Sequence, residues 1–340
     1  MKKDKKKRYG GCNMVRFGVI GTNWITDQFL KAAIQHSEFQ LTAVYSRTQE
    51  RANEFAAKYN VQHTYTNMEE MAKSKEIDAV YIASPNSYHA EQSILFLNHK
   101  KHVLCEKPMA SNVKEVKSMI EAAKENGVLL MEALKTTFLP NFQAIKENVQ
   151  RIGPVRRYFA SYCQYSSRYD AYKEGNVLNA FKPEFSNGSL MDIGIYCLYP
   201  AIALFGKPEE VKANGFLLET GVDAEGSITL KYPDKEAVLI FSKITNSYIP
   251  SEIQGENGSI VFDKLNPPED VKILYRDGKT EDISLEQPND PMFYELQGFI
   301  ELIKMGKTES TINTFERSLT VMEVMEEARR QMGVVYPNDN

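Results

Sequence analysis

The chain has 340 residues, 42% apolar and 25% charged, with a formal net charge of −4. That is the composition of a globular protein, and the length exceeds what one hydrophobic core usually organises, so two domains are expected. No run of about 18 or more apolar residues is present, which argues against a membrane partner, and the acidic balance beyond residue 13 argues against nucleic acid.

Residues 1–13 carry Lys2, Lys3, Lys5, Lys6, Lys7 and Arg8 against the lone acid Asp4. With no apolar stretch behind it, this cluster is not a secretory signal. We read 1–13 as a disordered basic leader ahead of Met14, where the fold begins. Cys12, Cys105, Cys163 and Cys197 lie far apart, with neither C-x-x-C nor Cys/His metal spacing. Cytosolic thiols, a cytoplasmic location and no metal site are the expectation.

From Val15 onward short apolar strands alternate with amphipathic helices. Strands are expected at Val15–Ile20, Gln40–Tyr45, Ala79–Ala83, His102–Cys105 and Val128–Met131. Helices are expected at Trp24–His36, Gln49–Tyr59, Met68–Lys73, His89–Asn98 and Val113–Asn126. Asn67 with Glu70 and Asn112 with Glu115 form capping boxes, and Gly127 suits a helix stop. Strands apolar throughout suit a parallel sheet covered on both faces, so residues 14–135 read as a doubly wound α/β domain.

The pattern then changes. Val155–Gln164 and Val211–Leu218 read as long strands, followed by hairpins pairing Ser227–Lys231 with Ala237–Lys243, Glu252–Gln254 with Ser259–Phe262 and Val271–Tyr275 with Thr280–Ser284. Their turns hold Pro233-Asp234, Glu256-Asn257-Gly258 and Asp277-Gly278. With helices at Ser189–Phe205, Pro291–Lys304 and Thr314–Met332, residues 136–340 read as an α+β domain on a large, mostly antiparallel, open-faced sheet. Ile228, Leu230, Leu239 and Phe241 alternate along two of its strands, so that face is expected to join copies of the chain in a homodimer or homotetramer.

The first strand runs into Gly21-Thr22-Asn23-Trp24-Ile25-Thr26 and then a helix, the place for a dinucleotide's pyrophosphate. The glycine fingerprint is incomplete. Gly21 fills its first position, while Asn23 and Thr26 replace the second and third glycines. Asn23 is expected to tolerate left-handed backbone angles there. The second strand ends in Ser46 and Arg47 where an NAD site offers an acid, so NADP is expected over NAD. The alternative for Arg47 is a solvated side chain before a helix capped by Thr48.

Three further segments are distinctive: Ser84-Pro85-Asn86-Ser87-Tyr88-His89 after the third expected strand, Cys105-Glu106-Lys107-Pro108 after the fourth, and Asp192-Ile193-Gly194-Ile195-Tyr196 in the second domain. In this order they resemble the glucose–fructose oxidoreductase / inositol dehydrogenase (Gfo/Idh/MocA) family, over nearly the whole chain from Met14. Tyr196 stands where many members carry His, as in the dihydrodiol and xylose dehydrogenase branch. The resemblance implies a Rossmann domain and a cofactor lined by Ser84, Pro85, Asn86, His89 and Glu106. It also implies that Lys107 touches both substrate and nicotinamide ribose, with Asp192 and Tyr196 facing the substrate.

Hydride transfer at a secondary alcohol needs a group that exchanges the hydroxyl proton. An ammonium near a phenol lowers its pKa, so Lys107 beside Tyr196 would make the phenol a usable base. Asp192 and Tyr196, spaced i,i+4, share a helix face. Taken singly, a lysine at a turn, a tyrosine packed in a helix and a first-turn acid need no chemical role; their joint order is what points to a site. Tyr162 and Arg168 are candidates for the substrate side, with a solvated loop arginine as the alternative for Arg168. The reading is an NAD(P)-dependent dehydrogenase of a sugar, polyol or cyclic diol. A redox-neutral, NAD-using glycosidase of this fold and a non-enzymatic dinucleotide sensor stay as alternatives.

Overall fold

The structure is a computed structural model that describes residues 14–339. The expected leader, residues 1–13, lies outside the described residues. The first sheet is parallel throughout and ordered β3-β2-β1-β4-β5-β6. Its strands are β1 (Val15–Ile20), β2 (Phe39–Tyr45), β3 (His63–Tyr65), β4 (Ala79–Ile82), β5 (His102–Glu106) and β6 (Leu130–Ala133). The helices α1 (Trp24–Ala33), α2 (Gln49–Lys58), α3 (Met68–Lys73), α4 (His89–Asn98) and α5 (Val113–Asn126) connect them. Strand β3 was not expected; with three residues it has too little pattern to show. The capping residues act as read: Asn67 accepts from the Glu70 N–H, Asn112 accepts from the Glu115 N–H, and Gly127 takes the left-handed φ of 64° that ends α5.

The second sheet is ordered β14-β13-β12-β11-β7-β10-β9-β8. Its strands are β7 (Val155–Cys163), β8 (Glu210–Leu217), β9 (Asp223–Lys231), β10 (Glu236–Ser242), β11 (Ser251–Gly255), β12 (Gly258–Phe262), β13 (Val271–Tyr275) and β14 (Thr280–Asp282). All three expected hairpins form, and among the described residues β7–β10 is the one parallel pairing of this sheet. Helices α6 (Pro140–Asn148) and α7 (Ser167–Lys173) were not foreseen, whereas α8 (Ile195–Phe205), α9 (Pro291–Lys304) and α10 (Phe315–Met332) were.

Two expectations about this half are corrected. Ile228, Leu230 and Leu239 are fully buried and Phe241 is 1% exposed. They pack in one core with Ile195, Leu198 and Tyr199 of α8, so this face is already covered within the chain. Helix α9 belongs by packing to the first sheet, not the second. Its Met292, Leu296 and Phe299 share a core with Phe17, Phe29 and Phe39, and the Phe17 and Phe299 rings lie 5.9 Å apart. The chain therefore returns from the second half to close the first.

Candidate active site

A cavity of about 1850 Å³ opens beyond the carboxyl ends of β1, β4 and β5. This is where the strand order reverses, between β1 and β4, and where open α/β sheets leave a crevice for ligands. All the expected site residues line it: Gly21, Thr22, Asn23, Trp24, Ile25, Ser46, Arg47, Ser84, Pro85, Asn86, His89, Glu106, Lys107, Tyr162, Arg168, Asp192 and Tyr196.

At the loop end, Gly21 has φ +99°, and a Cβ there would stand 2.8 Å from the Ala83 carbonyl oxygen. Only glycine fits, and it leaves backbone bare toward the cavity. Asn23 does not take a left-handed conformation. At φ −101° it is the N-cap of α1, accepting from the Ile25 and Thr26 N–H groups while its own amide donates to Ala83 O at 2.8 Å. Thr26, fully buried, donates to Gly21 O at 3.0 Å. Two side chains thus lock by hydrogen bonds a turn that glycines close by shape elsewhere. Ser46 is nearly buried, and Arg47 is exposed, with no side-chain ion pair or hydrogen bond among the described residues. Arg51, which sequence reasoning missed, donates to Thr22 O at 2.7 Å and ties α2 to the loop.

Two residues expected to line a cofactor mainly bind the protein itself. His89 is 1% exposed, its ring nitrogens 2.9 Å from Pro108 O and 2.9 Å from Ser84 O. It clamps the Ser84 loop to the Lys107-Pro108 turn. Asn86 donates to Ser186 O at 2.9 Å, joining the two halves.

At the other end, Lys107 Nζ lies 2.6 Å from Asp192 O, 3.1 Å from Asp192 Oδ1 and 5.0 Å from the centre of the Tyr196 ring. Lys243, which the sequence did not single out, pairs with Asp192 Oδ2 and is 3% exposed. The Asp192 side chain keeps 30% of its surface open to the cavity. Burial disfavours its charge, but the Lys107 and Lys243 ammonium groups outweigh this and hold its carboxyl well below the usual range. Asp192 is a fixed anion, unsuited to proton exchange near neutrality. It sits in a π-helical turn, Leu190–Gly194, rather than in the expected single α-helix from Ser189, and Tyr196 begins the α-helix after it.

The expected effect of Lys107 on Tyr196 is overturned. Burial, and then the Glu106 charge, push the phenol well above its usual pKa. The ammonium lies over the ring face, already engaged by Asp192, while the phenol is 8% exposed. Tyr196 is held as a neutral phenol, not a phenolate. Behind it Glu106 accepts from the Tyr81 hydroxyl at 2.5 Å, and burial raises its pKa against the opposing Lys107. Glu295 of α9 is fully buried with neither carboxyl oxygen hydrogen-bonded, and burial with the Glu106 charge keeps it protonated. Tyr162 stacks obliquely 5.8 Å from the Tyr196 ring. Arg168 lies in the first turn of α7 rather than in a loop and has no side-chain ion pair or hydrogen bond among the described residues.

The geometry fits a dinucleotide: a bare glycine turn at a helix N-terminus, an unpaired guanidinium at the end of β2, and a lysine–tyrosine pair at the far end. Comparison with known proteins agrees. Residues 15–134 match the model of an oxidoreductase family with an NAD-binding Rossmann fold, GFO_IDH_MocA, and residues 142–261 match the GFO/IDH/MocA C-terminal domain. The scyllo-inositol 2-dehydrogenase (NADP(+)) IolU of Bacillus subtilis (strain 168) is 63% identical over 96% of this chain and 99% of its own length. A trans-1,2-dihydrobenzene-1,2-diol dehydrogenase of Danio rerio is 32% identical over 96% of this chain and 99% of its own. The fold matches a 3-ketoreductase of Actinomadura kijaniata, solved with NADP and TDP-benzene, at a TM-score of 0.84 and 24% identity, over 95% of this chain and 99% of that one.

Proposed function

Because the chain belongs to the Gfo/Idh/MocA oxidoreductase family, we propose that it oxidises a ring hydroxyl of a cyclic polyol of the inositol kind with NADP, and runs the reverse reduction. The broader statement stands without that proposal: it is an NAD(P)-dependent oxidoreductase of CH–OH groups in sugars, polyols or diols. The observation that carries the site assignment is the meeting of Lys107, from the end of β5, with Asp192 and Tyr196 from the second half, all facing the cavity.

Gly21 to Ile25 would hold the pyrophosphate at the N-terminus of α1, and Ser46 and Arg47 would hold the 2′-phosphate. When bound, the nicotinamide takes or supplies the hydride. The chain's own residues handle the oxygen. Tyr196 donates its O–H to it from a neutral phenol, and Lys107, steadied by Asp192, offers it a second donor, an N–H. In reduction the oxygen takes the proton of the Tyr196 phenol, which is then reprotonated from the solvent-filled cavity, and in oxidation the hydroxyl proton leaves by the same path in reverse. Tyr162 and Arg168 flank the rest of the substrate.

The test is a screen of scyllo-inositol and other cyclic polyols, sugars and diols with NADP and NAD in parallel, followed by nicotinamide absorbance. Stoichiometric reduction with NADP supports the reading. Product formation with no net absorbance change would favour the redox-neutral glycosidase, and cofactor binding without turnover a sensor.

The oligomer is proposed through the other face of the second sheet. There Val238, Phe159, Glu252 and Val261 form one cross-strand row, half-buried in the chain alone. Light scattering at micromolar concentration decides it, and a strictly monomeric mass contradicts it. A cytoplasmic setting is supported by the free thiols of Cys105, Cys163 and Cys197.

A further inference from the structure

Asp192 is held by two ammonium groups where the reaction calls for one. Lys243 follows β10, in the half of the molecule that also supplies Asp192. Its side chain is 4% exposed, and besides Asp192 Oδ2 it lies 5.9 Å from the centre of the Phe181 ring. Taking an ammonium out of water is unfavourable unless a partner compensates, so its place beside Asp192 is costly to hold. An isolated Lys107–Asp192 pair would leave the carboxylate free to turn either oxygen to Lys107. With Oδ2 taken, Oδ1 and the main-chain carbonyl of Asp192 present one fixed cradle for Lys107 Nζ.

We propose that Lys243 is a positioning residue of the hydride-transfer site: by occupying Oδ2 of Asp192 it fixes the carboxylate that holds Lys107 over the Tyr196 ring. The inference rests on the oxidoreductase reading above. The groups that face Asp192 are Lys107 from the end of β5, Lys243 from the end of β10, Tyr162 from β7 and Tyr196 from α8. Asp223 of β9 also feels Lys243. Of these, only the two lysines oppose the burial that disfavours charge on Asp192. The carboxylate is present above its depressed pKa, and its hold on Lys107 is lost as pH falls through it. Removing one of the two cations moves that loss to higher pH.

The experiment compares wild type with Lys243→Met, Lys243→Gln and Lys243→Arg at neutral pH, measuring kcat and KM separately, NADP affinity by direct titration, and Tm. In the two neutral variants kcat should fall about tenfold or more as Lys107 loses its fixed cradle, with KM changed much less. NADP affinity should stay within about twofold, since the contact lies at the other end of the cavity. Lys243→Arg should restore kcat toward wild type. A packing role alone would lower Tm while the folded variants kept the wild-type kcat. Neutral variants with the wild-type kcat would overturn the proposal. So would neutral variants that cannot fold while Lys243→Arg folds, because the lysine would then be a structural requirement. A wild-type enzyme with no nicotinamide turnover, by contrast, would overturn the reading on which the inference rests.

Discussion

At the loop end of the cavity Gly21 and the α1 N-terminus offer bare backbone, with Arg47 exposed beside them. At the reacting end Lys107, Lys243, Asp192, Glu106, Glu295 and Tyr196 crowd together mostly out of water. Electrostatic effects scale inversely with the effective dielectric, so the same charge acts weakly at the first end and strongly at the second. The loop end offers shape and a few solvated groups. The reacting end is a balanced set in which each charge depends on its neighbours. Changes at the first end should alter affinity, and changes at the second should alter turnover.

The sharpest break of that contrast is Lys107→Met. It should lower kcat by about 10²–10⁴-fold or more, the range of one proton-handling group, with little change in NADP affinity. Steady-state kinetics with a separate cofactor titration checks both halves, and a variant that loses affinity but keeps kcat would erase the distinction. Next in size is Arg47→Ala, expected to weaken NADP about tenfold to a hundredfold and NAD hardly at all, as one charge-assisted contact is lost. Equal wild-type affinities for NADP and NAD would remove the role of Arg47.

A further expected effect is on stability, at the floor of the reacting end. Glu132 lies behind Lys107, accepts from the Met109 N–H at 2.9 Å and has its other oxygen unpartnered. Burial pushes its pKa up to about 7, against the opposing Met109 N–H. With the folded pKa raised, the protonated form favours folding. The contribution of Glu132 to stability is therefore greatest below the unfolded pKa and falls as pH rises to about 7, by up to about 3 kcal/mol. Glu132→Gln should flatten that slope between about pH 4.5 and 7 in denaturant unfolding. An unchanged slope would mean that Glu132 ionises without penalty.

The comparison also shows why some of the molecule was legible in the sequence. The alternation of apolar strands and capped helices through Asn126 is local, and so is each hairpin turn; both could be read directly. Gly21, Lys107, Asp192 and Tyr196 sit in local motifs, and all four line the cavity, Gly21 at its loop end and the other three together at the far end. What could not be read depends on distant packing. Helix α9 crosses to the first sheet because Phe299 and Leu296 find Phe17 and Phe29 there, which no local pattern encodes. Lys243 looks like any lysine at a strand end until Asp192 is placed beside it. The pKa of Tyr196 went the unexpected way because burial and Glu106 act through the folded surroundings. Asn23 was assigned a backbone role when its side chain does the work, since a cap and a tight turn draw on the same residue types.

The claim on which all of this turns is that Lys107 and Tyr196, from opposite halves of the chain, act on the substrate oxygen as one unit. A double-mutant cycle in kcat tests it directly, using Lys107→Met, Tyr196→Phe and the pair. The account predicts that Tyr196→Phe alone lowers kcat by roughly 10²–10⁴-fold and that the double variant is little worse than either single, because groups acting together are non-additive. A nearly silent Tyr196→Phe, or two losses that multiply in full, would contradict it.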